Sequence, residues 1–211
     1  AFEPKTGKQL WRFDCNPKDS RWELGGSGTR NNIIGMPVIH DGMVYVTVGQ
    51  DPEHGEGLGN LWAIDPTVKG GGDITAKAVV WHRGGEDFHR SMSTSAVADG
   101  IVYVSDLSGF LYALDAKTGE LYWKYDAFAA IWGSPYVTDG KIFLGDEDGD
   151  VAILATGKTL KVLGEINMGN AVYATPAAHD GILYILSRKR LYAIKDGIPA
   201  KPAEDAKAAA R

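Results

Sequence analysis

A pattern of two short apolar strands joined by Asp-Gly recurs four times along the chain, and no other feature constrains the fold as strongly. The four copies are "PVIHDGMVYVTVG" (37–49), "SAVADGIVYVSD" (95–106), "PYVTDGKIFLGD" (135–146) and "PAAHDGILYILS" (176–187). Asp-Gly between alternating apolar runs is typical of a tight β-hairpin, because a type I′ turn needs positive φ at both central residues. The sequence therefore predicts four β-hairpins.

The spacing of these hairpins indicates a repeat of about forty residues. The turn glycines Gly42, Gly100, Gly140 and Gly181 lie 58, 40 and 41 residues apart. The first interval is longer because two connections of the first copy are each eight residues longer than in the second, and the next connection is longer by two. Four short strands in a period of about 40 to 45 residues are typical of propeller blades. We predict an all-β fold, a β-propeller of four-stranded antiparallel blades with about four blades present.

A second motif, A-x-D-x-x-T-G-x-x-x-W, carries a family resemblance. It is complete in the third repeat, at Ala113, Asp115, Thr118, Gly119 and Trp123. The partial copies hold Thr6, Gly7 and Trp11 with Glu3 for the Asp, then Asp65 and Trp81 around an insertion, and finally "AILATGKTLKV" (152–162), which keeps Ala152 but loses the Asp and Trp. The motif resembles the tryptophan-docking motif of pyrroloquinoline-quinone (PQQ) repeat β-propellers, to which outer-membrane assembly lipoproteins belong. The resemblance covers about residues 1–195.

The resemblance implies a structural role for the motif and a ring larger than the chain supplies. Each Trp is expected to pack between adjacent blades while the Asp and Thr tie down the turn, and burial of an indole stabilises a fold by roughly 2–3 kcal/mol. Because this family usually forms eight-bladed rings, we expect the chain to be part of such a ring. A four-bladed ring closed by the N-terminal strand, and a ring made from two copies, are the alternatives.

We divide the chain into one propeller domain over residues 1–196 and a disordered tail over 197–211, which is rich in Lys, Ala and Pro. The predicted blades are 1–14 (partial), 33–82, 91–126, 131–168 and 171–195, the last without its outermost strand. An open array of this kind exposes blade faces, so we expect missing N-terminal blades or a second copy to cover them.

Composition narrows the possible partners. The 211 residues carry a formal net charge of −5 with no basic block, which argues against nucleic-acid binding. The longest apolar run, residues 127–133, is too short to span a bilayer. With Cys15 as the single cysteine, a disulfide within the chain and a cysteine-built metal site are both excluded.

The long polar loops all fall on one predicted face. Residues 15–32, 50–60 and 84–93 connect strands at the end opposite the short Asp-Gly turns, and long loops on a rigid scaffold are where binding usually resides. The candidate ligand-binding residues there are His54 and His89, from their position, and Arg30 and Arg90, which could meet anionic groups near the central channel. By resemblance to quinoproteins, in which a Trp underlies the cofactor ring, Trp132 is a further candidate.

The acidic stretch "DEDGD" supplies Asp146, Asp148 and Asp150 as candidate calcium ligands. Leu144 and Ala155 stand where an EF-hand loop needs acidic ligands, so the pattern fails. The stretch aligns with "DLSGF" (106–110), which has no ligand set. We therefore predict a solvated turn and no metal.

We predict a non-enzymatic scaffold that binds or assembles with other proteins through its long-loop face. No catalytic residue and no cofactor are expected, and the resemblance implies a periplasmic or otherwise extracytoplasmic location. Two alternatives are a ligand-sensing module attached to another domain, and a fragment of a PQQ-dependent quinoprotein dehydrogenase, which would need PQQ and calcium.

Overall fold

A computed structural model describes residues 1–23, 28–50 and 57–197. All but two of its strands form four antiparallel sheets, each a blade with its strands in chain order. Blade 1 holds β2 (Val38–His40), β3 (Met43–Val48), β4 (Leu58–Ile64) and β6 (Val79–His89); blade 2 holds β7 (Ala96–Ala98), β8 (Ile101–Ser105), β9 (Phe110–Asp115) and β10 (Leu121–Asp126). Blade 3 holds β11 (Tyr136–Thr138), β12 (Lys141–Gly145), β13 (Asp150–Ala155) and β14 (Val162–Asn167); blade 4 holds β15 (Ala177–His179), β16 (Ile182–Leu186) and β17 (Leu191–Lys195). The predicted all-β propeller fold is confirmed.

The four hairpins form because their Asp-Gly turns adopt the left-handed backbone region twice in succession. In the first turn, φ is 47° at Asp41 and 77° at Gly42, and the other three turns have the same signs. This is the backbone of a type I′ turn, whose twist matches that of the flanking strands. The register follows: His40 pairs with Met43, and two residues further Val38 pairs with Tyr45.

The core consists of the interfaces between successive blades. One face of blade 1, with Tyr45, Leu61 and Trp81, packs on Val102 and Leu114 of blade 2. The next interface repeats this, with residues of β8, β9 and β10 packed on β12 and β13. The sheets of blades 1 and 2 are therefore apolar on both faces.

Hydroxyl groups link the inner ends of the blades in sequence. Thr94 Oγ1 accepts the backbone N–H of Met36 at 3.0 Å, Ser134 Oγ accepts that of Thr94 at 2.9 Å, and Thr175 Oγ1 accepts that of Ser134 at 3.0 Å. These residues are separated by 58, 40 and 41 positions, the same intervals as the turn glycines. The hydrogen bonds between the inner ends of neighbouring blades therefore recur with the same spacing as the sequence repeat.

The N-terminal segment does not complete blade 4. β1 (Trp11–Arg12) pairs in parallel with β5 (Gly72–Asp73), which lies in the insertion of blade 1. Trp11 and Phe13 pack on the outer face of blade 1, beside Val44 and Ile64. Among the described residues blade 4 has three strands, so closure of a four-bladed ring by this segment is not the arrangement observed.

Predicted boundaries in blade 1 differ from the structure, and the loop predicted over 50–60 is wrong for residues 58–60, which belong to β4. The connection between β4 and β6 contains a short helix, α1 (Thr75–Ala78), besides β5, and β6 continues to His89. The prediction of a loop over 84–93 is therefore wrong for residues 84–89, and blade 1 extends beyond residue 82. The tail from residue 198 onward lies outside the described residues. None of the helices in the described parts of the chain has the length and apolar character needed to span a membrane.

Candidate functional site

The long-loop face is held together by hydrogen bonds between its own loops. Asn16 and Asn31 bond reciprocally: the Asn31 backbone N–H donates to Asn16 Oδ1 at 2.8 Å, and Asn16 Nδ2 donates to the Asn31 carbonyl at 3.0 Å. Trp62 Nε1 donates to the Cys15 carbonyl at 2.7 Å. The described part of loop 15–32 is thereby fixed to blade 1, and a fixed loop costs less entropy when it binds a partner.

Arg90 and Arg30 are both engaged by protein groups on this face. Arg90 is 3% exposed, and its guanidinium donates to Asn31 Oδ1 at 3.1 Å and to the Gly28 carbonyl at 2.8 Å. Arg30 lies 3.3 Å from Asp14 Oδ1 and also donates to Ser20 Oγ. These contacts tie loops together rather than present a cation to an anionic ligand.

His89, a ligand-binding candidate from its position, instead joins blade 1 to blade 2. Its Nδ1 is buried and lies 3.5 Å from Oδ2 of Asp106, which has no exposed surface. Asp106 also accepts the Tyr112 hydroxyl at 2.7 Å and the Phe110 N–H at 3.1 Å. Burial raises the pKa of Asp106, and the hydrogen bond from Tyr112 opposes that rise. His54 lies outside the described residues.

The acidic turn of blade 3 uses Asp146 as a structural residue. Asp146 is buried, and its Oδ1 accepts the N–H groups of Gly149 and Asp150, both at 2.9 Å. The prediction of a solvated turn is therefore wrong for Asp146, although residues 147 and 148 are exposed. Burial raises the pKa of Asp146. Across the described ranges, no three His, Cys, Asp or Glu side chains lie together so that they could hold a metal ion. Asp148 and Asp150 therefore do not belong to such a group.

Trp132 is engaged within the chain by two neighbours. Its ring centroid lies 4.5 Å from that of Tyr173, with 37° between the planes, and its Nε1 donates to Glu147 at 3.1 Å. A ring in contact with Tyr173 on one side, without a nearby metal-ligand set or an arginine free of loop contacts, does not match what a quinone needs. Among the described residues, the surroundings of Trp132 do not fit PQQ.

Two aromatic side chains on the long-loop face were missed by the sequence reasoning. Trp22, in loop 15–32, is 64% exposed, and Phe128, in the connection that leaves β10, is 90% exposed. Phe128 also has a φ of 59°, held by a 2.8 Å hydrogen bond from its N–H to Asp126 Oδ1. A left-handed backbone at a bulky non-glycine residue costs about 1–2 kcal/mol. Trp22 stands in the sequence as an aromatic residue in a polar loop, whereas Phe128 lies in the apolar run 127–133.

The tryptophans of blades 1 and 2 dock onto the turn of the following blade. Trp81 Nε1 donates to the Ala116 carbonyl at 2.9 Å, and Trp123 Nε1 donates to the Gly157 carbonyl at 2.8 Å. Gly119 lies directly under the Trp81 ring: a Cβ there would be 2.7 Å from Cδ2. Trp11 is half-buried on blade 1.

Asp and Thr of the motif bond within their own turns. Asp115 Oδ1 accepts the N–H groups of Lys117 and Thr118, both at 2.9 Å, and Tyr122 donates its hydroxyl to Asp115 Oδ2 at 2.6 Å. The Tyr122 bond, with those of the backbone, lowers the pKa of Asp115 to about 2.

The partial copies of this turn behave differently from one another. In the N-terminal copy Glu3 replaces the Asp: Thr6 donates to Glu3 Oε2 at 2.5 Å, and Gly7 donates its N–H to the Glu3 carbonyl. In blade 1, Thr67 bonds to Asp65 at 2.6 Å.

The strand register corrects the alignment of the fourth copy. Tyr103 pairs with Ala113 in blade 2, whereas in blade 3 the corresponding Phe143 pairs with Ile153. The counterpart of Ala113 is therefore Ile153 and not Ala152, and Ala155 stands in the place of Asp115.

Radial four-stranded blades joined through interblade indoles define the class of this protein as a β-propeller. A family model described as outer membrane protein assembly factor BamB matches residues 61–197. The chain belongs to this family of PQQ-repeat propellers, and the family resemblance is confirmed.

Curated relatives fall into two groups. Outer membrane protein assembly factor BamB of Legionella pneumophila (strain Paris) is 20% identical over 190 residues, which cover 89% of this chain and 43% of the relative. 1-Butanol dehydrogenase (cytochrome c) of Thauera butanivorans is 29% identical over 155 residues, which cover 68% of this chain and 19% of the relative. The chain thus spans less than half the length of either relative.

Among solved structures, BamB of Moraxella catarrhalis superposes with a TM-score of 0.58 at 20% identity, over 75% of this chain and 41% of that one. At this identity the likeness supports the propeller fold alone.

Proposed function

We propose that this propeller is a non-enzymatic scaffold in the cell envelope that binds a protein partner through its long-loop face. The observation that carries the proposal is Phe128, which is 90% exposed on a left-handed backbone. Backbone strain of this kind is concentrated at binding and catalytic sites. A phenyl group that is 90% exposed gains little from contacts with the described residues to offset this strain.

The rest of the face has the properties of an interaction surface. Trp22 adds a second exposed aromatic ring, and aromatic anchors dominate the binding energy of protein interfaces. Arg90 and Asn31 hold the surrounding loops in place, so little ordering would be needed on binding. Similarity to the outer membrane protein assembly factor BamB supports both the scaffold role and an extracytoplasmic location.

Photocrosslinking tests this proposal at single positions. A benzophenone amino acid at position 128 is expected to crosslink one discrete protein in the envelope of the source organism, whereas the same probe at Asp41, in the exposed Asp-Gly turn of blade 1 at the opposite end of the blades, is not. Excess unlabelled protein should compete, and excess Phe128→Gly protein should compete poorly. Equal yields at positions 128 and 41, or equal competition by the two proteins, would contradict the proposal.

The similarity to 1-butanol dehydrogenase favours a second candidate, a piece of a quinoprotein dehydrogenase. Native mass spectrometry with added PQQ and Ca²⁺, and dye-linked oxidation of 1-butanol, distinguish the two. If the protein is a scaffold, we expect neither a stoichiometric PQQ adduct nor turnover of 1-butanol. Either result would favour the dehydrogenase over the scaffold.

We further propose that another blade covers the open face of blade 4. Leu191 is 65% exposed there, whereas its counterparts Leu61 and Leu111 are both 0% exposed. Sedimentation of the 211-residue chain and of Leu191→Lys tests this. If the chain associates in a concentration-dependent way and Leu191→Lys abolishes this association, the covering blade belongs to a second copy. Association that Leu191→Lys leaves unchanged contradicts the proposal. A monomer whose Leu191 becomes protected only in the longer protein identifies the blade as the remainder of a larger ring.

A further inference from the structure

The interface between blades 3 and 4 lacks the indole that fills the two preceding interfaces. In β6 and β10, the residues opposite Ala63 and Ala113 are Trp81 and Trp123. In β14 the residue opposite Ile153, the counterpart of Ala113, is Gly164. A Cβ built on Gly164 meets no atom within 4 Å, so the space above it is open.

The side chains around that space show what is missing. At the interface of blades 2 and 3, Tyr103, Ala113, Ile142 and Leu154 surround Trp123, and each is 0% exposed. Their counterparts one repeat later are Phe143, Ile153, Leu183 and Ile194, and all are partly or fully exposed. The side chains that would form the walls of an indole site, Phe143, Ile153, Leu183 and Ile194, are thus present, but the indole itself is missing.

These walls line a cavity of about 500 Å³. Ala178 and Ile182 complete its apolar lining, and Asp139, Lys141 and Asp196 are the charged residues that line it. It is continuous with the interface of blades 3 and 4 and includes residues of their Asp-Gly turns, so it lies at the end of the blades away from the long loops. Its occupant is therefore separate from any partner of Phe128.

The filled sites also indicate the polar contact. Both buried indoles donate N–H to a backbone carbonyl just after the third strand of the next blade, that of Ala116 or Gly157. By strand register Ala116 corresponds to Asp196 of blade 4, and Gly157 corresponds to Gly197, which also has positive φ. An aromatic group that carries one N–H donor suits this cavity better than an aliphatic one, because Tyr, Trp and similar groups need a partner for the polar atom when buried.

We propose that this cavity is a binding site for a tryptophan side chain of a partner polypeptide. The indole would lie between Phe143 and Ile153 on one side and Leu183 and Ile194 on the other, with its N–H directed to the carbonyl of Gly197. The partner thereby supplies the docking residue that blade 3 lacks, and binding locks blades 3 and 4 together.

Titration of the ¹⁵N-labelled chain with N-acetyl-L-tryptophanamide, followed by NMR, tests the site. We expect saturable shifts of the Gly164, Leu183 and Ile194 amides and competition by free indole. N-acetyl-L-phenylalaninamide should bind several-fold more weakly because its aromatic ring lacks an N–H donor. Shifts that are absent, or that fall elsewhere in the chain, overturn the proposal. Binding of indole without binding of the tryptophanamide overturns the polypeptide source.

Two variants keep the test specific. Gly164→Trp places an indole in the cavity, so it is expected to weaken tryptophanamide binding by at least about tenfold and to raise the melting temperature. Lys161→Trp is the matched control, because it adds the same side chain at an exposed position three residues earlier and should leave binding unchanged. Ile194→Lys places a charge on the cavity wall at a half-exposed position and should also weaken binding. Unchanged affinity in both cavity variants contradicts the proposal.

Discussion

Gly119 offers a direct test of how the blades are joined, because the sequence contains its own control. Gly119 and Gly7 end the two "KTG" turns and have nearly the same backbone, with φ of 71° and 68°. A Cβ at Gly119 would lie 2.7 Å from Cδ2 of Trp81, whereas a Cβ at Gly7 meets nothing within 4 Å. Alanine is thus strained at both positions and clashes only at Gly119.

The expected magnitudes separate the two effects. A left-handed backbone at alanine costs about 1–2 kcal/mol, and forcing an extra methyl group into a packed interface costs about 1–3 kcal/mol. Gly119→Ala is therefore expected to lower the free energy of unfolding by about 2–5 kcal/mol. Gly7→Ala and Gly100→Ala, whose added Cβ also meets nothing within 4 Å, are expected to cost only the backbone part.

Urea denaturation followed by circular dichroism measures these differences, provided that the slope m is unchanged. The decisive measurement is a double-mutant cycle with Trp81→Leu, which removes the indole from above Gly119. In that background Gly119→Ala should cost no more than Gly100→Ala does, giving a coupling energy of about 1–3 kcal/mol. Equal costs for Gly119→Ala with and without the indole would refute the docking of Trp81 on this turn.

Three further outcomes follow from the described contacts. Hydrogen bonds lower the pKa of Asp115 to about 2 in the folded protein. The ionised carboxylate therefore stabilises the fold above about pH 4, and this contribution is lost as the pH falls toward 2. The urea midpoints of the wild-type protein and of Asp115→Asn should differ near neutral pH and converge in acid. Phe128→Gly relieves a left-handed backbone and should raise the free energy of unfolding by about 1 kcal/mol, whereas a lower urea midpoint would contradict the assignment of strain. Burial raises the pKa of Cys15 to about 12. Ellman's reagent should therefore react with this thiol slowly at about pH 8 in the folded protein and rapidly in urea. Rapid reaction of the folded protein would contradict this prediction and show that loop 15–32 opens readily.

The fold could be predicted because its determinants are local. An Asp-Gly pair requires a particular backbone wherever it occurs, and the alternation on either side of it defines two strands. The insertion in blade 1 was harder. "HRGGEDFH" (82–89) has the composition of a loop, yet Gly84 and Gly85 pair with Asn60 and Gly59, and Phe88 is fully buried against Tyr112. Tertiary pairing overrode local propensity.

The site residues depended on distances that no local pattern contains. His89 and Arg90 were selected because they lie in a connection, but their partners are Asp106 in the next blade and Asn31 in a distant loop. Phe128 was passed over because an aromatic residue within the apolar run 127–133 is expected to be buried until its exposure and its φ are known.

Gly164 is the clearest example of a position whose role could not be recognised from the sequence repeat alone. The repeat containing it lacks the motif Asp and Trp, and without strand register the natural alignment matches Ala152 instead of Ile153 with Ala113. Once the register is fixed, the loss of one side chain coincides with four half-exposed walls and a cavity of about 500 Å³. A chain selected only for stability would fill such a space, because each unfilled apolar volume lowers the free energy of unfolding. Two interfaces of this chain are filled with indole and the third is open, and that difference is what a binding site for an external indole requires.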